Sequence, residues 1–125
     1  MTQDAETALA RLRDLCLAMP GTAERVSHRS PVFVVAEDKM FAYFWHDHHG
    51  DGETVAVVRT TGAEEQRMLI DGEPELYSLP AELAAFGWIA IRLSGAATDW
   101  DRVGDRVAVS WELAAPRDLL EAGGR

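Results

Sequence analysis

Three of the chain's four histidines lie in one polar segment, residues 46–53, which reads His-Asp-His-His-Gly-Asp-Gly-Glu. Imidazole and carboxylate groups suit zinc or nickel, so this segment is a candidate metal site. In a strand, however, His46 and His48 share one face while His49 points to the other, and a hairpin tip with two glycines rarely holds three ligands in place. We therefore expect a solvated loop, and we assign the chain no metal and no other cofactor.

His28 is a second candidate, because the Arg-Ser-Pro sequence at 29–31 places it at a turn into a strand, where a polar side chain can project into a cleft. Catalysis by a general base also needs a nucleophile, and Ser27, Ser30 and Cys16 lack the spacing of a catalytic triad. A histidine at a turn usually satisfies local backbone groups. The pattern predicts a capping or hydrogen-bonding role for His28 and no enzyme activity.

The charge balance is acidic, with 12 Lys and Arg against 21 Asp and Glu and a net charge of −9. Such a protein repels polyanions at long range, so contact with a nucleic acid needs a local basic patch. Four basic residues from neighbouring turns and strands are candidates for phosphate contact: Arg25, Arg29, Lys39 and Arg59. The alternative is that they form ordinary surface ion pairs with the surplus carboxylates, each worth little energy.

Aromatic side chains concentrate in the same region and offer a pocket lining or a stacking platform. They are Phe33, Phe41, Tyr43, Phe44, Trp45 and Trp88. Strand alternation predicts Phe41 and Tyr43 on one face and Phe44 with Met40 on the other. Core packing is the default interpretation, and an exposed Phe44 or Trp45 would instead indicate a ligand or dimer surface.

Apolar periodicity predicts the elements that position these groups. Residues 4–18 form an amphipathic helix, with Cys16 buried, which ends at Pro20 and Gly21. Runs of β-branched and aromatic residues predict strands over 24–27, 32–35, 39–45, 54–59 and 88–93. Residues 73–86, which contain two prolines, are predicted to form a surface connection with one helical turn after Leu79.

Two further helices are predicted from their capping residues. Thr61 and Glu64 fit a capping box for a short helix over 62–70. Thr98 with Asp101 fits the start of a C-terminal helix, whose apolar stripe consists of Trp100, Val103, Val107, Trp111 and Ala114. Pro116 ends that helix, and one more turn is predicted over 117–122.

This order of elements predicts one domain over residues 1–125, an α+β two-layer sandwich with helices on one face of a mostly antiparallel sheet. No apolar run approaches the roughly 18 residues that span a bilayer, and the N-terminus is acidic and helix-forming rather than a basic, apolar leader. We therefore expect a cytoplasmic protein without a membrane partner.

Seven short motifs, in order along nearly the whole chain, carry a family resemblance. They are Met19-Pro20-Gly21 with Glu24, His28 with Pro31-Val32-Phe33, Lys39-Met40-Phe41-Ala42, Pro74-Glu75-Leu76-Tyr77, Gly87-Trp88-Ile89, Asp99-Trp100 and Leu113-Ala114-Ala115-Pro116-Arg117. With these motifs the chain resembles the YjbR/MmcQ family of small bacterial proteins, also called DUF419. The resemblance implies a two-layer fold like that of secretion chaperones, which has been likened to a double-wing DNA-binding module.

Two hypotheses about function follow. The first, inferred from the resemblance, is a non-enzymatic DNA-binding protein that contacts phosphates through Arg25, Arg29, Lys39 and Arg59. The second is a module that binds a small molecule or a protein partner in a cleft formed by His28, Pro31, Phe33, Lys39 and Trp88. The first requires a basic ridge and the second a concave pocket.

Overall fold

The computed structural model describes residues 2–93 and 97–123. Its helices are α1 (Gln3–Leu17), α2 (Ala63–Gly72), a 3-10 helix (Ala81–Phe86), α3 (Trp100–Ala114) and α4 (Arg117–Gly123). Its strands are β1 (Thr22–Ser27), β2 (Ser30–Val35), β3 (Lys39–His46), β4 (Thr54–Arg59), β5 (Tyr77–Ser78) and β6 (Trp88–Arg92). The predicted helices and strands are confirmed. Over residues 73–86, where one helical turn was expected, the structure has a short strand, β5, and a six-residue 3-10 helix. Within the described ranges, each helix is too short or too polar to cross a membrane.

The six strands form one antiparallel sheet in the order β1-β2-β3-β4-β6-β5. Helices α1 and α3 pack on one face of it, as the α+β prediction required. Their buried side chains meet Phe33, Phe41 and Phe44, and Cys16 lies in the same cluster. Burial raises the pKa of the Cys16 thiol, which keeps it protonated and unreactive.

The chain between α1 and β1 is tied to the C-terminal helices. Trp111 of α3 is fully buried, and its indole N–H donates to the carbonyl of Pro20 at 3.0 Å. Gly21 follows with a positive φ of 70°, and a Cβ atom there would lie 2.8 Å from a methyl carbon of Leu119 in α4. Pro20 and Gly21 therefore end α1 and also allow α4 to approach closely.

The opposite face of the sheet carries a smaller buried cluster that includes Tyr43, Trp45 and Trp88. Leu83 of the 3-10 helix and Met40 of β3 pack against this cluster. The predicted face assignment along β3 is therefore wrong: Phe41 lies with Phe44 on the helix side, and Met40 lies with Tyr43 on the other side.

A β-bulge causes this exchange of faces. Phe33 of β2 pairs with Ala42, but the next residue, Val34, pairs with Met40, so Phe41 has no partner on β2. One extra residue shifts the period-two alternation by one position. Met40, Tyr43 and Trp45 consequently share a face although 40 and 43 differ by an odd number.

Ser110 of α3 satisfies the backbone at the bulge. The pairing of β3 with β4 ends at Ala42 and Val58, one residue before Phe41 and Arg59 would meet. The fully buried Ser110 hydroxyl accepts the N–H of Arg59 at 2.8 Å and donates to the carbonyl of Phe41. Arg59 also donates its Nε–H to the carbonyl of Met40 at 2.6 Å. Two side chains thus replace the hydrogen bonds that the ladder lacks here.

Both predicted N-terminal caps are displaced by one position. Gly62 is the N-cap of α2, and Glu65 rather than Glu64 accepts the N–H and hydroxyl of Thr61. Asp99 rather than Thr98 caps α3, because its carboxylate accepts the N–H of Arg102. In both helices the first turn begins one residue later than the capping pattern indicated.

We predict that Ser110→Ala lowers the free energy of unfolding by about 2 kcal/mol, because it leaves a buried N–H and a buried carbonyl without partners. Urea unfolding measures this loss. Ser78→Ala on β5 removes the same hydroxyl from a half-buried strand position and is the matched control, for which we expect a change within about 0.5 kcal/mol. Equal stabilities of the two variants would contradict the bridging role of Ser110.

Candidate functional site

A cavity of about 510 Å³ lies on the face of the sheet opposite α1 and α3. Four elements build it: the β1–β2 hairpin, strand β3, the β3–β4 loop and the 3-10 helix. Its lining residues are Ser27, His28, Met40, Tyr43, Trp45, His48, Glu82 and Leu83. The floor comes from β3, and the rim comes from the hairpin, the loop and the 3-10 helix.

The floor is a packed aromatic group. The ring centroids of Tyr43 and Trp45 are 5.9 Å apart, and Tyr43 meets Trp88 edge-on at 5.4 Å. The Tyr43 hydroxyl donates to the sulfur of Met40 at 2.9 Å. Burial raises the pKa of Tyr43, so this hydroxyl remains a neutral donor at neutral pH. These contacts hold the floor in one arrangement before any ligand arrives.

Arg59 supports the floor from its edge. Its guanidinium carbon lies 4.7 Å from the Trp88 ring centroid, a cation–π contact, while its Nε–H binds the Met40 carbonyl. Burial is the main cause that lowers the pKa of Arg59, and the nearby Tyr43 opposes this effect. Arg59 is therefore engaged in the interior of the domain and has little freedom to reach a phosphate.

His48 forms part of the rim by stacking on the floor. Its ring lies 4.3 Å from that of Trp45 at an interplanar angle of 3°, and its Nδ1 is 3.2 Å from the hydroxyl of Ser30. His49 meets both rings edge-on. Burial and then the proximity of His49 lower the pKa of His48, which favours a neutral imidazole at neutral pH.

The histidine tract does not act as one unit. His46 turns to Thr54, with 2.7 Å between its Nδ1 and the threonine hydroxyl, whereas His48 and His49 pack on Trp45. Across residues 2–93 and 97–123, no three side chains of His, Cys, Asp or Glu come together in a group that could hold a metal ion. The rings of His48 and His49 contact Trp45, and His48 also lies within hydrogen-bonding distance of Ser30.

The β1–β2 turn is strained where it meets the cavity. Ser27 and Ser30 pair across it, and the two turn residues, His28 and Arg29, have φ angles of 51° and 68°. Such hairpin turns favour Asn-Gly, because a side chain costs roughly 1 kcal/mol in the left-handed region. The β2–β3 turn has the same geometry at Ala36 and Glu37, with φ angles of 53° and 79°, but of these four turn residues His28 alone lines the cavity.

The structure places the other residues of the predicted cleft away from this cavity. Phe33 lies in the core on the helix side, and Trp88 is buried beneath Tyr43. Lys39 is exposed beside the β2–β3 turn, at the opposite end of β2 from Ser30. Pro31 borders a smaller cavity of about 360 Å³ that also includes Arg29. His28 is the one predicted cleft residue that lines the larger cavity.

The basic residues proposed for phosphate contact do not lie together on one surface. Arg25 and Arg29 are exposed on the β1–β2 hairpin, whereas Lys39 begins β3 opposite Val35, at the other end of β2. In the described part of the chain, these three form no ion pair with a carboxylate. Five other arginines do, in the pairs Arg13–Glu24, Arg92–Glu53, Arg102–Glu73, Arg106–Glu65 and Arg117–Glu121.

The sequence offered a pocket lining for the aromatic residues of β3 but grouped them wrongly, because regular alternation separates Met40 from Tyr43 and the bulge is not visible in it. It predicted one helical turn after Leu79, in the segment that contains Glu82 and Leu83, but it did not identify these two residues as part of a site. Only the fold brings the 3-10 helix over β3.

We predict that Arg29→Gly raises the free energy of unfolding by about 0.5–1 kcal/mol, because glycine adopts a positive φ without steric cost. Glu37→Gly is the matched control: Glu37 is also exposed, has a φ of 79° and does not line the cavity, so it should gain a similar amount. Urea unfolding compares both with the unmodified chain. A loss of stability in Arg29→Gly alone would show that the arginine side chain, rather than the strain, dominates.

The chain is similar to a known protein family and to a solved structure. A model of the YjbR family matches residues 17–113, a range that contains every residue lining the cavity. No curated protein sequence matches the chain. The crystal structure of a Deinococcus radiodurans protein with a DUF419 domain is similar, with a TM-score of 0.71 and 18% identity over 91% of this chain and 86% of that one. At this identity the likeness shows a shared fold.

Proposed function

The chain belongs to the YjbR family, and we propose that this member is a non-enzymatic protein that binds a small molecule in the cavity between the β1–β2 hairpin, β3 and the 3-10 helix. The observation that carries the proposal is the cavity itself. Its volume of about 510 Å³ falls within the range of roughly 300–1,000 Å³ that is typical of small-molecule sites.

The chemistry of the lining supports a binding site. Tyr43, Trp45 and Leu83 supply apolar surface, while His28 and Glu82 supply a few polar groups around it. A mostly apolar floor with a small number of oriented polar groups is the usual composition of a ligand pocket. Because the Tyr43 hydroxyl and the His48 ring already have partners, a ligand meets a preorganised surface and loses little affinity to its rearrangement.

The same lining supports binding without catalysis. Among the described lining residues the hydroxyl groups are those of Ser27 and Tyr43, and neither is hydrogen-bonded to His28 or His48. Nucleophilic catalysis requires a base within hydrogen-bonding reach of the nucleophile. The Cys16 thiol is buried on the opposite face of the sheet, so it does not serve the cavity either.

We expect small aromatic compounds found in a thermal-shift screen to raise the melting temperature of the unmodified protein by about 2 °C or more at saturation. Ser27→Trp fills the rim of the cavity and should abolish the effect. Ser78→Trp introduces the same residue on β5, at a half-buried serine outside the cavity, and should retain it. A screen without any stabilising compound, or equal shifts in both variants, would contradict the proposal.

DNA binding is a second candidate, favoured by one observation: Arg25 and Arg29 project from one hairpin without a carboxylate partner in the described chain. If these residues contact phosphates, affinity for duplex DNA should fall with rising salt, with a slope of about −2 in log–log form. Combined charge reversal at Arg25 and Arg29 should abolish binding, whereas reversal at Arg117, which pairs with Glu121, should not. A gel-shift titration that shows no complex at low salt would rule out this candidate.

A further inference from the structure

The charge around the cavity is one-sided. Glu82 on the 3-10 helix is the one carboxylate among the described lining residues, and none of them is Lys or Arg. Glu82 forms no ion pair within residues 2–93 and 97–123. The chain as a whole carries a net charge of −9, which raises the local concentration of cations and lowers that of anions.

The aromatic floor also favours a positively charged ligand. The faces of aromatic rings carry partial negative charge, so a cation placed over Trp or Tyr is attracted without a formal counter-ion. The protein already uses this attraction in the same cluster, where the Arg59 guanidinium lies 4.7 Å from the Trp88 ring centroid. Tyr43, which meets Trp88 edge-on, extends the cluster into the cavity.

The Arg59 guanidinium is a fixed positive charge that acts on Tyr43, but it is held over the Trp88 ring and does not line the cavity. The groups that act on His48 are His49 and Asp51 of its own loop, His28 of the hairpin and Glu82 of the 3-10 helix. Burial lowers the pKa of His48, which therefore presents a neutral ring there. Met40 adds a polarisable thioether to the lining, a group that packs well against alkyl chains.

We propose that the ligand of this cavity is an organic ammonium ion with a small apolar group, whose charge lies between the aromatic floor and the Glu82 carboxylate. The inference rests on the proposed function and gives it a chemical class. Tyr43 attracts the charged end through its ring, and Leu83 packs against the apolar group. An anionic ligand of the same shape is repelled by the carboxylate and binds more weakly.

Three probes of nearly equal size test this assignment at pH 7.5: benzylamine, benzyl alcohol and benzoate. NMR titration of the uniformly ¹⁵N-labelled full chain gives a dissociation constant for each. We expect benzylamine to bind about tenfold more tightly than benzyl alcohol, with benzoate the weakest. In Glu82→Gln the preference for benzylamine over benzyl alcohol should fall by about threefold, whereas Glu75→Gln, an exposed carboxylate outside the cavity, should leave it unchanged.

The outcomes distinguish a wrong ligand class from a wrong binding site. Binding of benzyl alcohol or benzoate at least as tightly as benzylamine would overturn the cation assignment while retaining the cavity as a binding site. An unchanged preference in Glu82→Gln would overturn the role of that carboxylate. Shifts from all three probes that fall outside the cavity lining, or no shifts at all, would overturn the binding site itself.

Discussion

The buried hydroxyl of Ser110 bridges two strands at the point where their ladder opens, and both faces of the sheet depend on it. It accepts the amide N–H of Arg59 and donates to the carbonyl of Phe41, so two backbone groups that the ladder leaves unpaired there have a partner. The bulge turns Phe41 to the helices and puts Met40 on the same side as Tyr43. One serine on a helix therefore helps to determine which side chains form the floor of the cavity on the far side of the sheet.

The two faces of the sheet therefore differ in role: one packs the main core and the other borders the cavity. The helix side holds the large core, where Phe33, Phe44 and Trp111 are closely packed and Cys16 is chemically inert. The other side keeps part of its aromatic surface next to a cavity, bordered by a strained turn and a histidine-containing loop. Stability comes mainly from the first face, because the larger buried cluster lies there, whereas the second face has a smaller cluster and the cavity.

Local sequence patterns predicted most helices and strands, but they did not predict which side chains form the cavity. Spacings of three and four residues located α1 and α3, and β-branched runs located the longer strands, because both signals are local. The bulge at Phe41 depends on a serine 69 residues later in the chain, a relation that no local pattern contains. Ser110 itself sits three residues after Val107, on the apolar stripe of α3, and a polar residue in that position was the available signal. A helical turn after Leu79 was predicted, but its packing over β3, which brings Glu82 and Leu83 to the cavity, is a tertiary contact that no local pattern contains.

Intermolecular NOE measurements with bound benzylamine are the sharpest test of whether a small ligand occupies the cavity over β3. We predict contacts from the ligand's methylene protons to the ring of Tyr43 and from its aromatic protons to the methyl groups of Leu83. Contacts instead to residues of the other cavities, such as Pro31 or Leu79, would contradict it.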